Sequence, residues 1–118
     1  MAKKVMVVDD DYTMNSLLKM LLEFDGYSVI VVAEGSLVLE KARQEKPDVI
    51  LMDVHIGDAD GLELLREIRS DPAIQSMPVV MASGLDVEDR CKAAGASAFV
   101  LKPYPPEQLT AIFKKVLA

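Results

Sequence analysis

Four short apolar runs in this chain each stop at a residue able to do chemistry. Val5-Met6-Val7-Val8 runs into Asp9-Asp10-Asp11, and Val49-Ile50-Leu51-Met52 ends at Asp53. Val79-Val80-Met81-Ala82 ends at Ser83, and Phe99-Val100-Leu101 ends at Lys102. Brought to one point, three or four carboxylates repel one another. Each pair costs about 1 kcal/mol in water and about 4 at an effective dielectric of 20. A protein answers by raising pKa values or by binding a cation. An all-oxygen cluster of this size suits Mg²⁺, which takes one or two carboxylates and keeps positions for water and a phosphoryl oxygen. Ser83 adds a hydroxyl and Lys102 a mobile ammonium. Together these groups meet the needs of phosphoryl transfer to a carboxylate: in-line positioning, and positive charge on the oxygens of the moving group. A carboxylate is already ionised at neutral pH, so no general base is required. The lone histidine, His55, is therefore not needed in a catalytic pair.

These residues meet only if the elements place them together. Short β-branched runs read as strands buried on both faces. Strands are expected at about 3–9, 27–32, 48–53, 79–83 and 98–101. Asp10 or Asp11 stands where a helix cap belongs, and Met14, Leu17, Leu18 and Leu21 follow at helical spacing. Gly26 ends that helix. Ser36 is expected to cap a second helix with Val38, Leu39 and Ala42 inward, and Pro47 stops it. Residues 55–60 read as a loop, and Gly61 opens a third helix with Leu62, Leu65 and Ile68 inward. A short fourth helix must fit between Leu85 and Ala94, with Val87, Cys91 and Ala94 on one face. A fifth follows Pro105-Pro106, with Leu109, Ile112, Phe113, Val116 and Leu117 on its buried face.

Strands alternating with helices give a parallel sheet covered on both faces. Right-handed crossovers favour the doubly wound order 2-1-3-4-5. That order sets strand 1 beside strand 3 and brings Asp9, Asp10 and Asp53 to one crevice at the switch point, where ligands of open α/β sheets bind. The 118 residues fit one domain, 1–118, and half of them are apolar, enough for a core. A net charge of −6 argues against nucleic acid or an anionic membrane as partner. No apolar run reaches membrane-spanning length or resembles a signal peptide. The single cysteine, Cys91, forms no internal disulfide. A reduced, cytoplasmic domain is expected.

At this point the sequence resembles the receiver domains of two-component response regulators, over essentially its whole length. In layout it is similar to single-domain receivers of the chemotaxis or sporulation kind. Val7-Val8-Asp9-Asp10 resembles the family's metal-binding acid pair, and Leu51-Met52-Asp53 its phospho-accepting aspartate. Asp60-Gly61 matches the start of its third helix, and Val80-Met81-Ala82-Ser83 the strand ending in a hydroxyl that senses the phosphoryl group. Ala94-Gly95-Ala96 with Phe99-Val100-Leu101-Lys102-Pro103 resembles its last strand.

The resemblance implies a flavodoxin-like receiver fold. It implies phosphorylation of Asp53 with Mg²⁺ held by Asp9, Asp10, Asp53 and the backbone carbonyl of His55. Lys102 and Ser83 would then attend the phosphoryl group, and Phe99 would act as an aromatic switch. Phe99 equally fits an ordinary half-buried aromatic, and the His55 side chain an exposed rim position. The partner implied is a histidine kinase or phosphotransfer protein, with output from the surface of helix 4, strand 5 and helix 5. Such a domain is a signalling unit, catalysing only its own phosphoryl transfer and slow dephosphorylation.

Three departures stand out. Gly57 and Ala59 replace a proline and a methionine common in the family's loop, which is expected to loosen it. His55 stands at the carbonyl position. Only ten residues separate Ser83 from Ala94, so helix 4 is shortened. The Lys102-Pro103 peptide bond is expected to be cis, so that Lys102 turns back over the crevice.

Competing readings are weaker. Val5 to Thr13 also fits the haloacid dehalogenase phosphatase signature, Asp9-x-Asp11-x-Thr13. That family needs a further acid pair after a late strand, where this chain has Lys102-Pro103-Tyr104. A flavin or nucleotide site needs glycines and backbone donors after strand 1, where this chain is acidic. A receiver-like interaction module that is never phosphorylated remains the third alternative.

Overall fold

The computed structural model describes residues 2–118. β1 (Lys4–Val8), β2 (Ser28–Val32), β3 (Val49–Asp53), β6 (Val79–Ser83) and β7 (Ala98–Leu101) form one parallel sheet in the order β2-β1-β3-β6-β7. This is the doubly wound, flavodoxin-like order expected from the alternation of strands and helices. Helices α1 (Tyr12–Phe24), α2 (Val38–Glu45), α3 (Gly61–Ser70), α4 (Glu88–Ala93) and α5 (Pro106–Val116) cover its two faces.

Alternation along the strands divides the core in two. Met6, Val8, Ile50, Met52, Val79 and Met81 point to one face. There they pack under Val38 and Ala42 of α2, Leu62, Leu65 and Ile68 of α3, and Cys91 of α4. Val5, Val7, Val49, Leu51, Val80 and Val100 point to the other, against Leu18 and Leu22 of α1 and Leu109 and Phe113 of α5. Each fully buried side chain of this size contributes about 1.5–3 kcal/mol. Because these strands are buried on both faces, the whole run before each functional residue has to be apolar.

Several local expectations are corrected. Leu17 is 45% exposed and Leu21 half-buried, while Leu18, Leu22 and Asn15 face the sheet. Ser36 caps no helix: it lies in a 3₁₀ turn, Gly35–Leu37, and α2 starts at Val38 with no side-chain cap. α4 is six residues long and begins only at Glu88.

Residues 55–60 are not a plain loop but an antiparallel hairpin, β4 (His55–Ile56) and β5 (Ala59–Asp60), with Ile56 paired to Ala59. Gly57 has φ +58°. That fits the first central position of a two-residue II′ turn, where glycine is the residue of choice. The glycine expected to loosen this segment instead lets it close.

Candidate functional site

The register of the sheet builds the site. Val8 of β1 lies opposite Met52 of β3. The next residue on each strand, Asp9 and Asp53, therefore leaves the sheet side by side, about 4.8 Å of strand spacing apart. On the other side of β3, Asp53 is paired with Ala82, and Ser83 with Leu101 of β7. Ser83 and Lys102 thus reach the same carboxyl edge.

Asp9 is fixed through four of its atoms. Its N–H donates to the Val32 carbonyl at 3.3 Å, and its own carbonyl accepts from the Asn15 side-chain amide at 2.6 Å. Its Oδ1 accepts from the Asp11 N–H at 3.0 Å and its Oδ2 from Lys102 Nζ at 3.0 Å. Asn15 explains why a polar residue occupies the buried stripe of α1: it ties the helix to the acid. Its Oδ1 is the buried side-chain oxygen left without a partner among the described residues. Asp11 is the N-cap of α1 and accepts from the Met14 N–H at 3.0 Å.

Lys102 Nζ lies 2.8 Å from Asp53 Oδ2 as well, so one ammonium bridges two carboxylates. Burial, the largest single influence, pulls the Lys102 ammonium down, but the hydrogen bonds it donates to Asp53 and Asp9 and the negative charges of both acids together outweigh it, and the group titrates above the ordinary lysine value. Among the described residues Asp53 Oδ1 is held only by the His55 N–H, at a long 3.4 Å. The Lys102–Pro103 bond is cis.

Helix α3 begins against the same strand end. Asp60 caps it by accepting from the Leu62 N–H at 2.9 Å. The Gly61 N–H donates to the Val54 carbonyl at 2.6 Å.

The structure does not bring every expected residue in. Asp10 is exposed and turns away, its Oδ2 accepting from the Gly57 N–H at 2.9 Å. Among the described residues no three acidic, histidine or cysteine side chains stand close enough to hold a metal. Ser83 is buried, and its Oγ accepts from the Leu85 N–H at 3.0 Å rather than meeting Asp53. His55 is exposed. Phe99 is half-buried, packed against the α2–α3–α4 core.

Sequence reasoning missed two participants. Tyr104 lies close enough to feel the site: burial raises its phenol, the Lys102 charge opposes that, and the Asp9 and Asp53 charges add to it. Its place two residues after Lys102 was the available signal. The Gly57 N–H is the other, and a backbone donor carries no signature in side-chain types.

The donor set fits a hard divalent cation. Asp9 and Asp53 already share a positive charge in Lys102, and every side chain offered is a carboxylate oxygen. The arrangement offers a cation two strand-end carboxylates, Asp9 and Asp53, beside the charge of Lys102.

Known proteins are similar to this chain in sequence and fold. A family model described as the response regulator receiver domain matches residues 5–114. The chain is 36% identical to the alkaline phosphatase synthesis transcriptional regulatory protein PhoP of Bacillus subtilis over 99% of its own length and 49% of that protein's. It thus spans about half the length of that relative. It is 32% identical to the polar-differentiation response regulator DivK of Brucella anthropi, over 87% of this chain and 86% of DivK. The chemotaxis response regulator CheY4 of Vibrio cholerae superposes with a TM-score of 0.91 at 29% identity, covering 99% of this chain and 100% of that one. The chain belongs to the response regulator receiver domain family, the signalling domains of two-component systems.

Proposed function

We propose that Asp53 is the phosphoacceptor of this receiver, that Asp9, Asp10, Asp53 and the His55 carbonyl hold Mg²⁺, and that residues 1–118 act as one receiver unit. The observation that carries the reading is the Lys102 ammonium bridging Asp9 and Asp53 at 3.0 and 2.8 Å. It couples the strand-end carboxylates to a charge on a neighbouring element.

In the transfer step Asp53 attacks through Oδ1, its less engaged oxygen, on the phosphorus of a phosphohistidine. The new O–P bond forms as the P–N bond breaks, and the electron pair stays on the imidazole. Lys102 keeps its proton throughout and shifts from the carboxylate toward the phosphoryl oxygens. The Ser83 hydroxyl stands one strand away; its Oγ accepts from the Leu85 N–H, which leaves its own O–H free to donate to the same oxygens. Mg²⁺ held by Asp9, Asp10, Asp53 and the His55 carbonyl would supply charge neutralisation on those oxygens. Hydrolysis of the acyl phosphate returns the domain to rest, so its catalysis is confined to its own phosphorylation cycle.

The donor is a protein, a histidine kinase or phosphotransfer protein. An apolar groove runs from Lys102 and Tyr104 along α1, past Leu17 and Leu21 to Pro106 of α5. Exposed apolar surface continuous with a reaction centre is what a protein partner covers. No helix among the described residues is long and apolar enough to cross a membrane, and the reading places the domain in the cytoplasm. Phe99 and the exposed residues of α4 and α5 form the output surface.

Incubation with a small phosphodonor and Mg²⁺, followed by intact-mass analysis, tests the site. One phosphoryl group is expected, lost in Asp53→Asn and in chelator. Labelling that survives either change overturns the assignment, and labelling at Asp9 revives the phosphatase alternative.

A further inference from the structure

Three side-chain acids are assigned to the metal, yet the structure gathers only two. Asp9 and Asp53 share Lys102, while Asp10 reaches the other way, to the tip of the β4–β5 hairpin. The bond it makes there is well formed: Oδ2 to the Gly57 N–H at 2.9 Å, with an ionised acceptor. Gly57 presents that N–H because its φ of +58° closes the two-residue turn. A Cβ at Gly57 would stand 3.8 Å from the same Oδ2, so the contact is made by backbone and leaves room around it.

Resting on the metal site proposed above, we propose that Gly57 is a positioning residue for metal entry. Its N–H holds Asp10 withdrawn from the crevice, and a divalent cation binds by drawing Asp10 off Gly57. In the structure Asp10 makes only the first of these contacts, and among the described residues no three-acid cluster forms while it does; the latch requires that binding the cation break the bond to Gly57. Metal binding then has a second consequence. The hairpin loses its tie to the β1–α1 turn, so occupancy of the metal site is read out 47 residues along the chain at the rim of the crevice.

Amide exchange at Gly57, followed by NMR on the full chain, reads the latch directly. Without metal, exchange is expected about tenfold slower than in Asp10→Ala, the protection given by one moderately stable hydrogen bond. Mg²⁺ brings the wild-type rate up to that of Asp10→Ala. Calorimetric titration supplies the second readout. Replacing Gly57 by glycolic acid through chemical ligation turns its amide into an ester; this removes the donor, keeps a backbone free of side chain, and is expected to bind Mg²⁺ about fivefold more tightly, the weight of one exposed hydrogen bond. Gly57→Ala strains the same turn but keeps the N–H, and stays close to wild type.

Protection that persists in saturating Mg²⁺, with binding that still needs Asp10, overturns the latch and leaves the metal site standing. Equal tightening in both Gly57 variants also overturns it, because turn strain and not the donor then sets the affinity. Binding that is indifferent to Asp10 removes the metal reading and the latch together.

Discussion

A Cβ placed on Gly61 would stand 2.2 Å from the carbonyl oxygen of Asp53 and 2.9 Å from that of Val54. Helix α3 can start flush against the end of β3 only because residue 61 has no side chain. Gly61→Ala must push the helix start off the strand end. Displacing packed backbone costs about 2 kcal/mol or more, and the push falls on Asp53. A lower urea midpoint at unchanged slope is expected, together with slower labelling by a small phosphodonor. A variant with wild-type stability would show that the helix start yields freely.

The Lys102 bridge makes a statement about pH. The folded pKa lies above the ordinary lysine value. Its stabilisation is therefore fully present below the unfolded pKa, about 10.4, and is lost as pH rises through the folded one. The stability difference between the wild type and Lys102→Met is expected to be level from neutral pH to about 9.5 and to shrink above that. Denaturation curves at a series of pH values measure it. A difference that shrinks below pH 9 would mean that the ammonium is not held between the two acids.

Arg69 fastens the far end of the domain. From α3 its Nε donates to the Gly95 carbonyl at 2.8 Å, and its Nη1 to the carbonyls of Met77 and Gln75 at 2.7 and 3.0 Å. Arg69→Met is expected to cost about 2 kcal/mol, the size of charged hydrogen bonds to partly buried carbonyls. Arg69→Lys should recover little, because one ammonium cannot reproduce the fork. Thermal or urea unfolding of both variants checks this.

The same staple divides the α4 region. Its C-terminal end is held by Arg69 and by the Ala96 N–H on the Cys91 carbonyl at 3.0 Å. Its N-terminal end has Leu85 64% exposed and no side-chain cap. Within residues 84–95, amides before Cys91 are expected to exchange faster than those after it. Both groups should exchange faster than β1 and β3, and Mg²⁺ with a phosphoryl mimic should slow the first group. Protection equal to that of the central strands would make the short helix rigid and move the output surface elsewhere.

The groove along α1 separates protein donors from small ones. Leu17 is 45% exposed and contributes little to folding, so Leu17→Glu should change stability by about 0.5 kcal/mol at most. It should slow transfer from a phosphohistidine protein far more than labelling by a small phosphodonor. Stopped-flow measurements with both donors decide; equal effects would place the docking surface elsewhere.

The five strands were legible because burial on both faces forces unbroken apolar runs, and the residues that end those runs are the ones that meet. The phase of α1 was not. Leu17, Leu18, Leu21 and Leu22 offer two overlapping stripes, and the choice between them is settled by Asn15, whose bond to the Asp9 carbonyl turns Leu18 and Leu22 inward. The hairpin escaped because strands of two residues lie below any periodicity, although Gly57-Asp58 between paired residues is a turn signal. Asp10 read as a ligand by its type, and nothing in side-chain spacing shows that a backbone N–H holds it. Arg69 drew no reading from the sequence, since a side chain that bonds three carbonyls at the opposite edge leaves no local pattern.

Asp9, Asp10 and Asp11 are identical in type, and each faces a different partner: Lys102, the Gly57 N–H and the Met14 N–H. Interchangeable letters here are not interchangeable positions. Deleting any one of the three would leave the same shortened run of acids, yet Tyr12 would fall on the cap and every later residue of α1 would rotate by about 100°. Leu18 and Leu22 would swing out of the core and the Asn15 tie to Asp9 would break. A loss of length here is worse than a change of side chain at the cap, where Ser or Asn would serve as well as Asp11.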